Sequence, residues 1–587
     1  MMLSLTFGGR RAFHRRAAAF ALLPLLLMGA APPSSPPDSS MDEALAAIER
    51  FAPVAMAGQQ TPGLSVAITD RTKTLRIITL GYANVDAKLP VTPQTRFAIG
   101  SITKSMTALA AMQLRDEGKL DLEAPVTRYL PWFSIDSHGR PILVHQLLSH
   151  TAGIPDDFSS ENSSLYDVVA LRAATVLFAP GTSWSYSNDG FGTAGAVVAR
   201  VDSRPWSASI QHRVFDPLGM TGSAPYFTPQ TQATAALGYQ WRDNDRPGTL
   251  DPPLVPSPVL DFVDPAGSVL STPEDMARYM RLYLNGGKRP DGTRLISARS
   301  FDAMTAADRF SNGKPAGSAS VVLDEAPAYY RKYGFGLSVF DDAGDHLIGH
   351  TGGVSGYTAC MQMNLTRGFG VIAFANHVEA PLHPCAIVLY AMRALKAQSE
   401  GTPLPAQPVA PDPALVRNAA EYAGTYAAAN GTTLRLVASA SRLSLVDGTT
   451  TATLYPRDTD QFWTDDPKYP MFLLAFGRDK NKRVVDMTYG SQWFANANYR
   501  GPHAFAHPRR WDDLLGRYEN TYLGQPYVTR VVIVKNRLTL DGVSPLQPRA
   551  DGTFGLGTSV VRFDAYAGAQ PTRLSIDDTH LYRIDLP

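Results

Sequence analysis

Ser101 and Lys104 stand three residues apart in Phe97-Ala98-Ile99-Gly100-Ser101-Ile102-Thr103-Lys104, at the start of a helical pattern, and so share one helix face. A serine hydroxyl is a weak nucleophile until a base takes its proton, and a lysine desolvated in a cleft has a pKa low enough to do so. The chemistry of such a pair is acyl transfer. Alone the spacing carries little weight, because a chain of this length holds on the order of one Ser-x-x-Lys by chance. Its bland reading is an N-cap serine beside a solvated lysine. Two later segments add to it: Trp184-Ser185-Tyr186-Ser187-Asn188 carries Tyr-x-Asn ahead of a small-residue helix, and Gly349-His350-Thr351-Gly352-Gly353 precedes an apolar strand pattern.

In this order the three segments resemble the signature of the serine penicillin-recognising enzymes, S-x-x-K, S-D-N and K-T-G. Tyrosine in the second motif is similar to the branch holding class C β-lactamases, D-alanyl-D-alanine carboxypeptidases, D-aminopeptidases and some esterases. Residues 147–153, 217–220 and 266–275 resemble the same family, so the likeness spans roughly residues 55–395.

The resemblance implies roles that chemistry makes sensible. Ser101 attacks a carbonyl while Lys104, Tyr186 or both relay its proton, and Asn188 orients Lys104 and the substrate amide. The backbone N–H groups of Ser101 and Gly353 form the oxyanion hole, with His350, Thr351, Gly352 and Gly353 along the substrate. Histidine stands at His350 where the β-lactamases have a lysine. A largely neutral side chain there leans against efficient β-lactam hydrolysis, and it is similar to the carboxypeptidase and D-aminopeptidase branches. The substrate expected is a peptide or amide carrying a D-residue, with an ester next and a β-lactam third. No cofactor and no metal are implied, since His145 and His150 lie five apart without the glutamate of H-E-x-x-H. No G-x-S-x-G elbow is present, which disfavours an α/β-hydrolase. The rival from another class is a catalytically silent protein that binds cell-wall peptides or a protein partner.

The elements that must position these residues read as a mixed α/β domain over residues 41–398. Apolar positions Met106, Leu109, Ala110 and Leu114, interrupted by Gln113, predict an amphipathic helix over 102–117 that Gly118 stops. Strands are expected at Tyr357–Asn364 and 370–375, and a closing helix at 381–396. The family likeness implies a β-lactamase-like fold: an antiparallel sheet flanked by helices, with a helical subdomain. Proline-rich residues 399–415 read as a spacer.

Beyond it, short alternating runs with Asp-Gly and Asn-Gly turns predict two small all-β barrels, 416–506 and 507–587, joined near residues 507–511. The two copies echo each other: Tyr422-Ala423-Gly424-Thr425-Tyr426 answers Leu515-Gly516-Arg517-Tyr518, and Arg442-Leu443-Ser444-Leu445 answers Arg537-Leu538-Thr539-Leu540. Two barrels are also similar to the D-aminopeptidases, in which a loop of the third domain caps the cleft. The candidate cap is 547–552 with Asp551, although the related turn Arg457-Asp458-Thr459-Asp460 makes an acid there plain turn chemistry. Asp551-Gly552 reads as a hairpin turn and 246–258 as a surface loop.

Residues 1–31 read as a cleaved export signal followed by a linker at 32–40: a basic stretch through Arg16 precedes an apolar run too short for the roughly 20 residues of a spanning helix. A retained anchor is the alternative. Arg10-Arg11-Ala12-Phe13 is loosely similar to a twin-arginine signal, and no cysteine near residue 31 offers a lipid anchor. The location expected is periplasmic or secreted, with no stable membrane span after cleavage. In an oxidising compartment Cys360 and Cys385 are able to pair, and the sequence leaves pairing and free thiols both open. Formal charge is +1, and the four arginines of the first 31 residues leave about −3 downstream, which excludes a basic nucleic-acid binder. With 44% hydrophobic and 18% charged residues the chain is globular. The partner expected is a small-molecule or peptide substrate; the oligomeric state is open.

Overall fold

The computed structural model describes residues 41–58, 61–156, 163–241, 254–259, 264–318, 331–377, 383–409, 412–469, 472–490, 492–522, 525–557, 559–577 and 579–584. The export signal and linker expected at 1–40, and most of the loop expected at 246–258, lie outside the described residues. Leu254–Pro256 of that loop forms a strand paired with Tyr239–Trp241.

A seven-stranded sheet organises the first part of the chain. Its strands are β1 (Gly63–Asp70), β2 (Thr74–Asn84), β3 (Leu89–Pro90), β4 (Ser338–Asp342), β5 (Asp345–Val354), β6 (Tyr357–Asn364) and β7 (Phe369–Ala375), in the order β3-β2-β1-β7-β6-β5-β4. Every pairing is antiparallel. Both faces are covered, which is why β1, β6 and β7 are buried almost end to end rather than on alternate residues. Period-2 geometry sends Leu64, Val66, Ile68, Val371 and Ala373 to one face, under helices α1 (Met41–Gly58) and α5 (His383–Glu400). It sends Ala67, Met361, Met363, Ile372 and Phe374 to the other face, where the larger core lies. Cys360 and Cys385 form a disulfide that ties β6 to α5.

That larger core surrounds α2 (Thr103–Asp116), with α3 (Asn188–Asp202) and α4 (Pro273–Leu284) among its neighbours. The helix stops where the sequence predicts, at Gly118 with φ +71°. Its start differs: a 3₁₀ turn, Gly100–Ile102, precedes it. It is also buried all round rather than amphipathic, every residue from Thr103 to Leu114 being covered. Gln113 breaks the apolar pattern without breaking the core, because its amide donates to Arg213 O at 2.8 Å.

The C-terminal part is all β. Eight antiparallel strands from Gly424–Ala427 to Gln492–Ala495 close a barrel through the pair Ala427↔Ala495. Nine strands between Gly516–Tyr522 and Thr579–Arg583 form a second, nearly closed barrel, preceded by a 3₁₀ turn at Arg509–Leu514. The sequence echo is structural: Tyr426 donates its hydroxyl to Tyr422 O and Tyr518 to Leu514 O, each four residues back at 2.9 Å and each ring fully buried. Asp551 and Gly552 make the expected turn, Gly552 at φ +86°, and the Asp551 carboxylate accepts from the Thr553 amide and hydroxyl. Among the described residues no helix is long and apolar enough to cross a membrane.

Candidate active site

Ser101 sits in a turn pinned from both sides. Phe97–Ala98 pairs with Leu270–Ser271, and Ile99 N–H donates to Val269 O at 2.9 Å. On the other flank lies β5. Its ladder with β4 ends at the pair Ser338↔Gly349, so the edge of residues 350–354 is left to face the serine turn. The approach is close enough to require glycine twice. Gly100 adopts φ +52°, and a methyl added to it would stand 2.6 Å from Gly353 N; one on Gly352 would collide with Ile99 O. A methyl on Gly352 would also stand 3.4 Å from Ser101 N, so the two segments from which oxyanion donors are expected adjoin. At Gly353 itself an added methyl would meet nothing within 4 Å, so that position opens into the cleft.

Lys104 is fully buried, which removes the solvated-lysine reading. Its Nζ donates to Ser101 Oγ at 3.1 Å, Asn188 Oδ1 at 2.7 Å and Ala266 O at 3.0 Å. Ser101, for its part, caps no helix. Burial lowers the Lys104 pKa to about 8, against the opposing pull of the Asp264 and Asp156 carboxylates. An ammonium that releases its proton near neutrality and touches a serine hydroxyl is equipped as a general base.

The second motif is held by the segment that carries His150. Ser185 N–H donates to His150 O, and Ser187 N–H donates to His150 Nδ1 at 3.0 Å. The His150 ring packs against Tyr186 with centroids 4.2 Å apart and planes tilted by 32°. Burial, and then the nearby Lys104, hold its pKa well below the ordinary value. Tyr186 also presents its ring to Lys104 Nζ, 4.7 Å from the centroid. Asn188 opens α3, and Asp156 grips it twice, accepting from the backbone N–H at 2.6 Å and from Nδ2 at 3.0 Å.

His350 lies behind Tyr186, ring centroids 6.3 Å apart, and is fully buried. A carbonyl only accepts, so the contact of Nδ1 with Thr351 O puts the proton on Nδ1, and Nε2 accepts from the Tyr333 hydroxyl at 2.8 Å. Desolvation first, then Lys104, drops its pKa to about 3, so it is neutral across the working range. Thr351 pairs across the sheet with Cys360, and Gly352 with Ala359. All eight sequence-predicted residues thus lie on three chain segments that converge on one site. His145 is elsewhere, its Nδ1 2.9 Å from Asp308 Oδ2.

The sequence reading missed Asp156, Asp264 and the Ala266 carbonyl. Asp156 follows Thr151-Ala152-Gly153-Ile154-Pro155, and Asp264 precedes Ala266-Gly267-Ser268, so both adjoin stretches that resemble the family. Nothing local in the chain says that these carboxylates face a lysine.

A family model described as Beta-lactamase matches residues 48–387. Protein flp of Staphylococcus aureus (strain N315) is 26% identical over 325 residues, which is 54% of this chain and 59% of that protein. Protein Rv1367c of Mycobacterium tuberculosis (strain ATCC 25618 / H37Rv) is 32% identical over 312 residues, 48% of this chain and 76% of its own length. The chain therefore spans 59% of the length of the first of these curated relatives. Among solved structures, an octameric penicillin-binding protein homologue from Pyrococcus abyssi aligns with a TM-score of 0.52 at 25% identity, covering 77% of this chain and 99% of the other.

Proposed function

Since the chain belongs to the beta-lactamase family of serine hydrolases, we propose that it is an exported enzyme that opens amide bonds next to a D-residue through an acyl-enzyme on Ser101. The observation that carries this reading is the buried Lys104, in hydrogen-bond contact with Ser101 Oγ and Asn188 Oδ1. In the reaction Oγ attacks the carbonyl carbon as its proton passes toward Lys104. The oxyanion forms between the N–H groups of Ser101 and Gly353, and the departing amine takes up a proton. Water then attacks the ester on Ser101 and releases the acid. Lys104, Tyr186 or the two together carry the proton.

The choice of an amide over a β-lactam rests on the third motif. A β-lactam brings a carboxylate that a lysine there would hold, whereas His350 is buried, neutral and engaged with Tyr333. Export is supported by the Cys360–Cys385 disulfide, since such bonds persist in oxidising compartments.

Incubation of the pure protein with a fluorescent fluorophosphonate, D-alanine p-nitroanilide and a chromogenic cephalosporin tests the reading. Labelling at Ser101, lost in Ser101→Ala, together with faster turnover of the anilide is expected. Faster cephalosporin hydrolysis would return the enzyme to the β-lactamases. Absence of labelling with binding of muropeptides retained would make it a silent binder.

A further inference from the structure

The Asn188 side chain has an acceptor end and a donor end, and only one orientation helps Lys104. With Oδ1 inward it accepts from Nζ at 2.7 Å. Turned over, the amide would aim its own N–H bonds at an ammonium that has no lone pair to receive them. The partner that sees the other end is Asp156. A carboxylate only accepts, and this one meets Nδ2 through Oδ2 at 3.0 Å while Oδ1 takes the Asn188 backbone N–H at 2.6 Å. Two oxygens on two N–H groups of one residue fix the backbone at the start of α3 and the rotation of the side chain at once. The position also suits the charge, because Asp156 stands at the N-terminal end of a 15-residue helix.

We propose that Asp156 is a positioning residue for acyl transfer, holding the Asn188 amide with Oδ1 toward Lys104 and so fixing the lysine against Ser101. This rests on the reading of Ser101 as the nucleophile. Asp156 reaches the site by contact through Asn188 and, separately, by its charge on Lys104. Among the described residues, the charged and titratable groups around Lys104 include Asp156, Asp264, His150, His350 and Tyr186, and both acids favour the ammonium form. Loss of the Asp156 charge therefore moves the Lys104 titration to lower pH whether or not Asn188 is held, so the positioning role is read from the plateau rate and its dependence on Asn188.

The test is the rate of fluorophosphonate labelling of the full chain from pH 5 to 10, in wild type, Asp156→Asn, Asn188→Ala and the double variant. Asp156→Asn is expected to slow labelling at the plateau by about tenfold or more and to lower the pH midpoint. In the Asn188→Ala background it should cost little further, since the two residues act as one unit. A plateau rate within about twofold of wild type overturns the proposal, as do losses that multiply in the double variant. If Asp156→Asn loses its near-UV dichroism, Asp156→Ser reads the same two quantities under the same criteria, its hydroxyl keeping one acceptor for the Asn188 N–H. Wild type that never labels overturns the nucleophile itself and this proposal with it, a result distinct from labelling that ignores residue 156.

Discussion

The ammonium of Lys104 and the ring of Tyr186 face one another, Nζ lying 4.7 Å from the ring centroid. Tyr186 therefore contributes an aromatic face as well as a phenol, and the two can be separated. Tyr186→Phe keeps the face toward Lys104 and the ring contact with His150 while deleting the hydroxyl. A fall in kcat/KM of more than about tenfold, 1.4 kcal/mol, is expected if the phenol moves protons. A smaller fall on the D-alanine anilide would leave Tyr186 only a packing role.

The pH dependence follows from which groups titrate. With Lys104 as the base, the competent form is its neutral amine; its pKa is held near 8, so the rate should rise with pH up to about 8 and level above it. His350, down at about 3, and His150, well below 6.5, stay neutral through this range and add no step. A pH–rate profile with its ascending midpoint near 6.5 would move the base role to a histidine.

Gly352 and Gly353 are neighbours with opposite tolerance. A methyl at Gly352 collides with Ile99 O, so Gly352→Ala should lower stability by roughly 1–3 kcal/mol, as overpacking does. A methyl at Gly353 finds open space, so Gly353→Ala should melt like wild type yet lose activity, because that space is the one a substrate enters. Thermal unfolding and kcat/KM measured side by side check the pair. Equal behaviour of the two variants would contradict the placement of the cleft.

Removing the disulfide should be felt in stability before chemistry. Cys360 and Cys385 are separated by 25 residues. In the chain-entropy picture closing such a loop stabilises by about 3.5 kcal/mol. Urea unfolding of the Cys360→Ser/Cys385→Ser protein should show most of that loss. A change below about 1 kcal/mol would assign the junction of β6 and α5 to packing instead.

Much of this was legible from residue type and order. The three motifs name the cleft, Gly118 marks the end of α2, and the strand expected at Tyr357–Asn364 is β6. Other features depend on contacts far apart in the chain. Gly349-His350-Thr351-Gly352-Gly353 has no strand signal of its own, since glycine and polar residues are weak strand formers; it is a strand because β6 pairs with it. The closing helix runs His383–Glu400 rather than ending at 396. Gln113 looked like a break only because the periodic pattern assumes a solvent side that α2 lacks. Asp156 reaches Asn188 across 32 residues, a partnership that local sequence does not encode.

The bond from Tyr426 to Tyr422 and its twin from Tyr518 to Leu514 point to ancestry as well as packing. Two barrels that share an internal lock, at matching places in their first strands, are best understood as copies of one module duplicated in tandem. Since the duplication the copies have diverged in closure. The first is sealed through Ala427↔Ala495, whereas in the second Ser544–Pro545 and Gln547–Pro548 are the unjoined ends of the sheet. An unjoined seam gives the second barrel two short strand edges that the first barrel does not have.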